Sequence, residues 1–243
     1  MSSDRAHRSP LVTRRAFLTG IGAAGATWLL ETTFSHRPAA AQDTEPFCIV
    51  RPQQTEGPYF VDERLNRSDI RSDPATGQIT PGVPLRLRIR VMSVQSADCR
   101  PLAGVLVDIW HCDAMGFYSD VRDPWFNTVG KKFLRGYQTT NDSGEVGFIT
   151  VYPGWYPGRT VHIHVKIRTA AARRNFDFTS QLYFDDGLTD LVHEQMPYGS
   201  RGPRTTRNRQ DWIFRQGGDR LMLNPTPTAE GYVATFTFGL RLA

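Results

Sequence analysis

The chain is poor in cysteine, in long apolar runs and in excess charge of either sign. Its three cysteines, Cys48, Cys99 and Cys112, form no Cys-x-x-Cys pair, which excludes the common structural zinc modules. In an oxidising compartment they allow one disulfide, by any of three pairings, with one thiol left over. The apolar stretch at 17–30 is diluted by Gly and Ala and falls short of the roughly 20 residues that span a bilayer. No stable membrane anchor is expected. Helical periodicity is also scarce: only 188–195 reads as a helix, of about two turns.

Net charge is +5 over 243 residues. Residues 1–41 hold five arginines against Asp4 and Glu31, a net +3, so the remainder carries only +2. So small an excess, with no basic stripe interleaved with aromatics, gives no footprint for a nucleic-acid partner. Arg201, Arg204, Arg207 and Arg209 do cluster, and read as a solvated loop.

Residues 1–41 read as a leader. Thr13-Arg14-Arg15-Ala16-Phe17-Leu18 is a twin-arginine signal, addressed to a bacterial exporter of folded cargo, and Ala39-Ala40-Ala41 offers a small-residue cleavage site. The expected location is therefore periplasmic or extracellular. The expected mature chain, 42–243, is a single domain that opens with an extended, turn-rich arm at 42–84.

Beyond the arm the chain is written in short strands. At 85–94, Leu85, Leu87, Ile89 and Val91 alternate with Arg86, Arg88 and Arg90, a half-buried strand. The run at 104–112 is apolar on both faces apart from Asp108. Segments 133–139 and 145–150, either side of Asn-Asp-Ser-Gly at 141–144, read as a hairpin. Segments 181–184 and 232–242 complete the count. Short strands broken by Gly and Pro predict an all-β chain folded as a β-sandwich with long Pro/Gly-rich loops.

One strand stands apart. In YPGWYPGRTVHIHVKI at 152–167, Val161, Ile163, Val165 and Ile167 take one face, and His162 and His164 share the other. Neutral imidazole is the commonest metal donor, so His-x-His on a strand is a ready half-site. The same pattern also fits two hydrogen-bonded histidines on an ordinary polar face. Tyr118 and Tyr156 are the candidate partners. Phenol ionises near pH ~10, but a trivalent cation strongly favours the deprotonated donor. Two phenolates and a hydroxide would balance Fe(III), and two imidazoles would complete a five-coordinate non-haem site. Hard oxygen donors favour ferric iron; a zinc or copper enzyme is the nearest alternative.

Four blocks resemble the intradiol ring-cleavage dioxygenases, the family of protocatechuate 3,4-dioxygenase and catechol 1,2-dioxygenase. They are PLAGVLVDIWHCDAMGFY at 101–118, PGWYPGRTVHIHV at 153–165, TSQLYF at 179–184 and TEGPYF at 55–60. The resemblance implies an Fe(III) enzyme that takes a small aromatic diol and O2 and cleaves between the hydroxyl-bearing carbons to a muconate-type diacid. It implies Tyr118 as the lasting ligand, Tyr156 as the ligand displaced by substrate, and His162 and His164 as the other two. Arg159 would stabilise charge on the ring, and Gln181 would flank the oxygen-binding region. His111 reads as a polar core residue. The helical dimerisation segment of the catechol 1,2-dioxygenases has no counterpart before Leu85, which leaves a homo-oligomer open. The alternative of another class is a secreted, transthyretin-like β-sandwich that binds a ligand without turnover.

Overall fold

The computed structural model describes residues 49–95, 98–169 and 176–241. The expected leader and cleavage site, and Cys48, lie outside the described residues. In chain order the elements are β1 (Pro84–Gln95), β2 (Asp98–Pro101), β3 (Val105–Trp110), β4 (Arg122–Asp123), β5 (Phe126–Asn127), β6 (Arg135–Thr139), β7 (Glu145–Val151), β8 (His162–Thr169), β9 (Asp177–Tyr183), α1 (Asp186–His193), β10 (Thr226–Thr228) and β11 (Gly231–Leu240).

Two sheets make the expected sandwich. One runs β10-β11-β1-β2, with β7 also on β1, and the other runs β6-β3-β8-β9. The long strand β1 organises the first sheet: β11 pairs with it in parallel, and β7 and β2 pair antiparallel. Its alternation works as read, with Leu85, Leu87, Ile89 and Val91 buried and Arg86 and Arg88 exposed. Facing them from the second sheet are Val105, Val107 and Ile109 of β3 and Ile163, Val165 and Ile167 of β8. Burial of these β-branched and leucine side chains holds the layers together, at roughly 1.5–3 kcal/mol for each fully buried residue.

Asp108, the charged residue in the apolar run, is buried beneath Arg168 on the neighbouring strand, with Nε and Nη2 each 3.0 Å from its carboxylate oxygens. Burial pushes its carboxyl up to about 6, and Arg168 pulls the other way.

The hairpin expected from 133–139 and 145–150 does not form. The Asn141–Gly144 turn is present, with the Gly144 N–H donating to the Asn141 carbonyl at 2.8 Å. However, β6 pairs with β3 and β7 pairs with β1, so the turn arches from one sheet to the other. Val146 and Phe148 of β7 then enter the core beside Ile89 and Leu87. An Asx turn with Gly at positive φ serves either connection, so its residues could not choose between them.

The helix begins two residues earlier than expected, because the Asp185 side chain caps it by accepting from Leu188 N–H at 3.0 Å. The arginine cluster is only in part a solvated loop, with Arg207 and Arg209 exposed. The Arg204 side chain is 3% exposed and pairs with Asp186 and Asp190 of α1, while Arg207 pairs with Asp190. Arg201 lies over the rings of Trp155 and Phe117. These contacts fasten the segment after α1 to the sandwich.

Cys99 is disulfide-bonded and Cys112 is a buried free thiol, so neither pairing that uses Cys112 forms. Among the described residues no helix is long and apolar enough to cross a membrane.

Candidate metal centre

Strand β8 enters the sandwich beside β3, with His164 opposite Trp110 and His162 opposite Tyr183 of β9. Both histidines are 2% exposed. Tyr118 arrives on the loop after β3, and Tyr156 on the Pro/Gly turn before β8. Two glycines let these loops close on each other. A Cβ on Gly116, whose φ is +83°, would lie 2.3 Å from the Trp155 carbonyl oxygen, and one on Gly154 would lie 2.4 Å from that of Asp113.

All four side chains converge. The His162 and His164 Nε2 atoms are 3.0 Å apart, and the Tyr118 hydroxyl lies 3.3 Å from the first and 3.2 Å from the second. The Tyr156 hydroxyl is 3.3 Å from His162 Nε2. His162 Nδ1 sits 2.6 Å from the Thr160 carbonyl oxygen, which requires a proton on Nδ1 and leaves one lone pair on Nε2. Three groups crowd that single lone pair. Donors each about 2 Å from one shared cation lie about 3 Å from one another, which is the spacing observed. No group of three or more His, Cys, Asp or Glu side chains suited to a metal occurs among the described residues; the side-chain oxygens beside the two imidazoles are the phenols of Tyr118 and Tyr156.

Burial also sets the charge states of the four groups. Burial holds both imidazoles well below their ordinary 6.5, so they are neutral lone-pair donors. Burial also pushes the Tyr156 phenol up to about 12, and the Tyr118 phenol well above its ordinary 10. Neither becomes a phenolate at neutral pH without a strong local positive charge.

Arg159 and Gln181 stand beside the four. Arg159 Nη2 donates to Gln181 Oε1 at 2.5 Å, and its Nε donates to Asp211 Oδ2 at 2.8 Å. Gln181 Nε2 donates to the Thr55 carbonyl at 2.9 Å. His111 stays apart, as expected: its ring nitrogens lie 2.8 Å from the Cys112 carbonyl oxygen and 2.7 Å from Thr150 Oγ1.

Sequence reasoning undervalued the arm. Tyr59 stacks on Tyr118, with ring centroids 4.6 Å apart, and donates to Asp123 Oδ2 at 2.7 Å. Phe60 packs on Trp110, which in turn stacks on His164. TEGPYF is thus a roof over the four donors. Its sequence marks a turn but not what the turn covers. Asp211 gave no signal at all, because it sits in a polar stretch without periodicity.

Comparison with known proteins decides the family. The family model described as "Dioxygenase" matches residues 55–198. The solved structure of an intradiol ring-cleavage dioxygenase from Tetranychus urticae superposes with a TM-score of 0.69 at 30% identity, covering 80% of this chain and 95% of that one. The chain belongs to the intradiol ring-cleavage dioxygenase family. Curated relatives within it include catechol 1,2-dioxygenase 2 of Acinetobacter lwoffii, 34% identical over 175 residues and covering 59% of either chain. Catechol 1,2-dioxygenase 1 of the same organism is 26% identical over 198 residues, covering 71% of this chain and 58% of its own. The chain therefore spans less than two thirds of the length of these two relatives. In this member of the dioxygenase family, the matched residues 55–198 contain the roof, the four convergent side chains, Arg159 and Gln181.

Proposed function

We propose that this chain is an exported, iron-dependent intradiol dioxygenase. It would open a catechol between its two hydroxyl-bearing carbons, incorporating both atoms of O2 and releasing a muconate-type diacid. The observation that carries this reading is the convergence of two phenol oxygens and two imidazole nitrogens on one point. A family member with that donor set has the hard, anionic ligands that favour ferric iron over zinc or copper.

Tyr118, Tyr156, His162 and His164 would hold the metal. Bound Fe(III) supplies Lewis acidity and a one-electron redox partner, through which an electron-rich catecholate becomes reactive toward O2. The residues divide the remaining work by exposure. Tyr118 is 1% exposed, locked under Tyr59, and is the ligand that persists. Tyr156 is less deeply buried and would be the one to give way to substrate. A catechol bound through both oxygens would give up two protons; hydroxide from solvent would accept one, and the Tyr156 phenolate oxygen the other. The high proton affinity that burial gives its phenol favours that transfer. Arg159, fixed against Gln181, offers a guanidinium to negative charge that builds on the ring.

Export by the twin-arginine route fits this chemistry, since a chain that leaves the cytoplasm folded can be loaded with iron first. The deciding experiment measures metal per chain and incubates the iron-loaded protein with a panel of substituted catechols in air. Ring-opened diacids carrying both atoms of 18O2 are expected. A colourless protein that holds zinc and no iron, or binds catechols without product, would instead support a zinc protein or the binding module.

A further inference from the structure

Asp211 lies beyond the residues that match the family model, yet it touches both halves of the site. Its carboxylate is fully buried, and the cation paired with it is Arg159, at 2.8 Å from Nε to Oδ2. The same Oδ2 accepts from the Thr160 amide at 3.0 Å. The Thr160 carbonyl faces His162 Nδ1 at 2.6 Å, and the Thr160 hydroxyl donates to Asn208 at 2.6 Å. The other oxygen, Oδ1, caps its own segment, accepting from the Ile213 and Phe214 amides at 2.8 and 3.4 Å.

We infer that Asp211 is a positioning residue that aims Arg159 and, through the Thr160 peptide, orients the His162 ring. A buried carboxylate is costly unless it is paired and hydrogen-bonded, so its geometry is tightly specified. Arg159 is held from two sides, by Asp211 at Nε and by Gln181 at Nη2, and this fixes the plane of the guanidinium. His162 has its tautomer set by a carbonyl whose own peptide N–H is anchored on the same carboxylate oxygen. Groups that orient a metal ligand in this way are worth about 10–100-fold in affinity or activity. One carboxylate from a segment outside the matched stretch thereby sets the substrate-facing cation and a metal-facing imidazole together.

The rate effects rest on the proposed function, but the geometry can be tested without it. The full chain is prepared with Ga(III) in place of any ferric iron, so that side-chain N–H signals stay sharp in 1H–15N spectra. The Arg159 Nε–H signal, identified by its loss in Arg159→Met, should exchange slowly with water. In Asp211→Asn that signal and the His162 Nδ1–H signal should both shift or exchange faster while thermal unfolding remains cooperative. In the iron form, Asp211→Asn should lower kcat by about 10–100-fold with iron content retained. The double variant Arg159→Met/Asp211→Asn should be no slower than Arg159→Met alone. Unmoved signals, or additive losses in the double variant, would reduce Asp211 to a local cap and overturn the inference. If Asp211→Asn does not fold, the wild type still decides, since an Arg159 Nε–H that exchanges like that of an exposed arginine would sink it. If the wild type opens no catechol, the proposed function fails, and the spectra alone decide the role of Asp211.

Discussion

Tyr59 and Tyr118 lie ring on ring, 4.6 Å between centroids and 30° between planes, so a residue of the arm covers the most deeply buried member of the candidate centre. Tyr59 is also tied to the β4–β5 hairpin through Asp123. Replacing it with alanine removes the stack and the hydrogen bond, at a cost of about 1–3 kcal/mol. Tyr59→Phe keeps the ring and should cost about 1 kcal/mol. Denaturant unfolding of the two variants compares them, and equal losses would mean that the ring itself contributes nothing.

Tyr118→Phe and Tyr156→Phe should fail in different ways. On the proposed function, loss of Tyr118 as the persistent ligand should strip iron from the protein and, with it, the visible colour expected of tyrosinate-to-iron charge transfer. Loss of the departing ligand should leave more iron bound but slow anaerobic catechol chelation by ~10²–10⁴-fold, the usual worth of a positioned base. Iron analysis and stopped-flow absorbance measure both. The opposite pattern would reverse the two roles.

Acid should destabilise the fold through His111. Burial lowers its imidazole from 6.5 to about 4, so the unfolded chain takes up a proton first as the pH falls. The stability tied to the neutral ring is complete above pH ~6.5 and is lost as the pH falls toward ~4, by about 3 kcal/mol in all. His111→Gln should flatten that part of the stability–pH curve. An unchanged slope would assign the acid sensitivity to other groups.

Export should depend on the arginine pair and on nothing in the core. Arg14→Lys with Arg15→Lys should leave a folded, active protein in the cytoplasm, as cell fractionation would show. Undiminished export of the double variant would remove the twin-arginine reading.

Removing the Arg204 guanidinium should loosen the segment that carries Asp211. Its side chain is 3% exposed and pairs with Asp186 and Asp190, so Arg204→Ala removes a buried cation from α1, leaving Asp190 its pair with Arg207 and Asp186 the Asn208 amide. A loss of about 1–2 kcal/mol is expected, less than for a fully buried pair because both carboxylates reach solvent, read by thermal or denaturant unfolding. A loss within the range of a surface substitution would mean that solvent screens the cluster.

Much of the fold was determined by the sequence alone, because a strand writes its two faces into every second residue. Leu85, Leu87 and Ile89 had to face a core, and His162 and His164 had to share a face, whatever surrounded them. The arginine three residues before His162 and the tyrosines at 118 and 156 were legible through the family's motifs. The tertiary structure decided everything that depends on which segments meet. Only the pairing of β3 with β8 brings Tyr118, from 44 residues earlier in the chain, to within hydrogen-bonding distance of His162. The Asn141–Gly144 turn fits a hairpin and an arch equally well, so the division of β6 and β7 between the sheets awaited the competition for the edge of β1. Arg204 and Asp211 look like any exposed charge in a polar stretch. Only the packed fold withdraws them from water, and once dry, each is fixed by the partner that neutralises it.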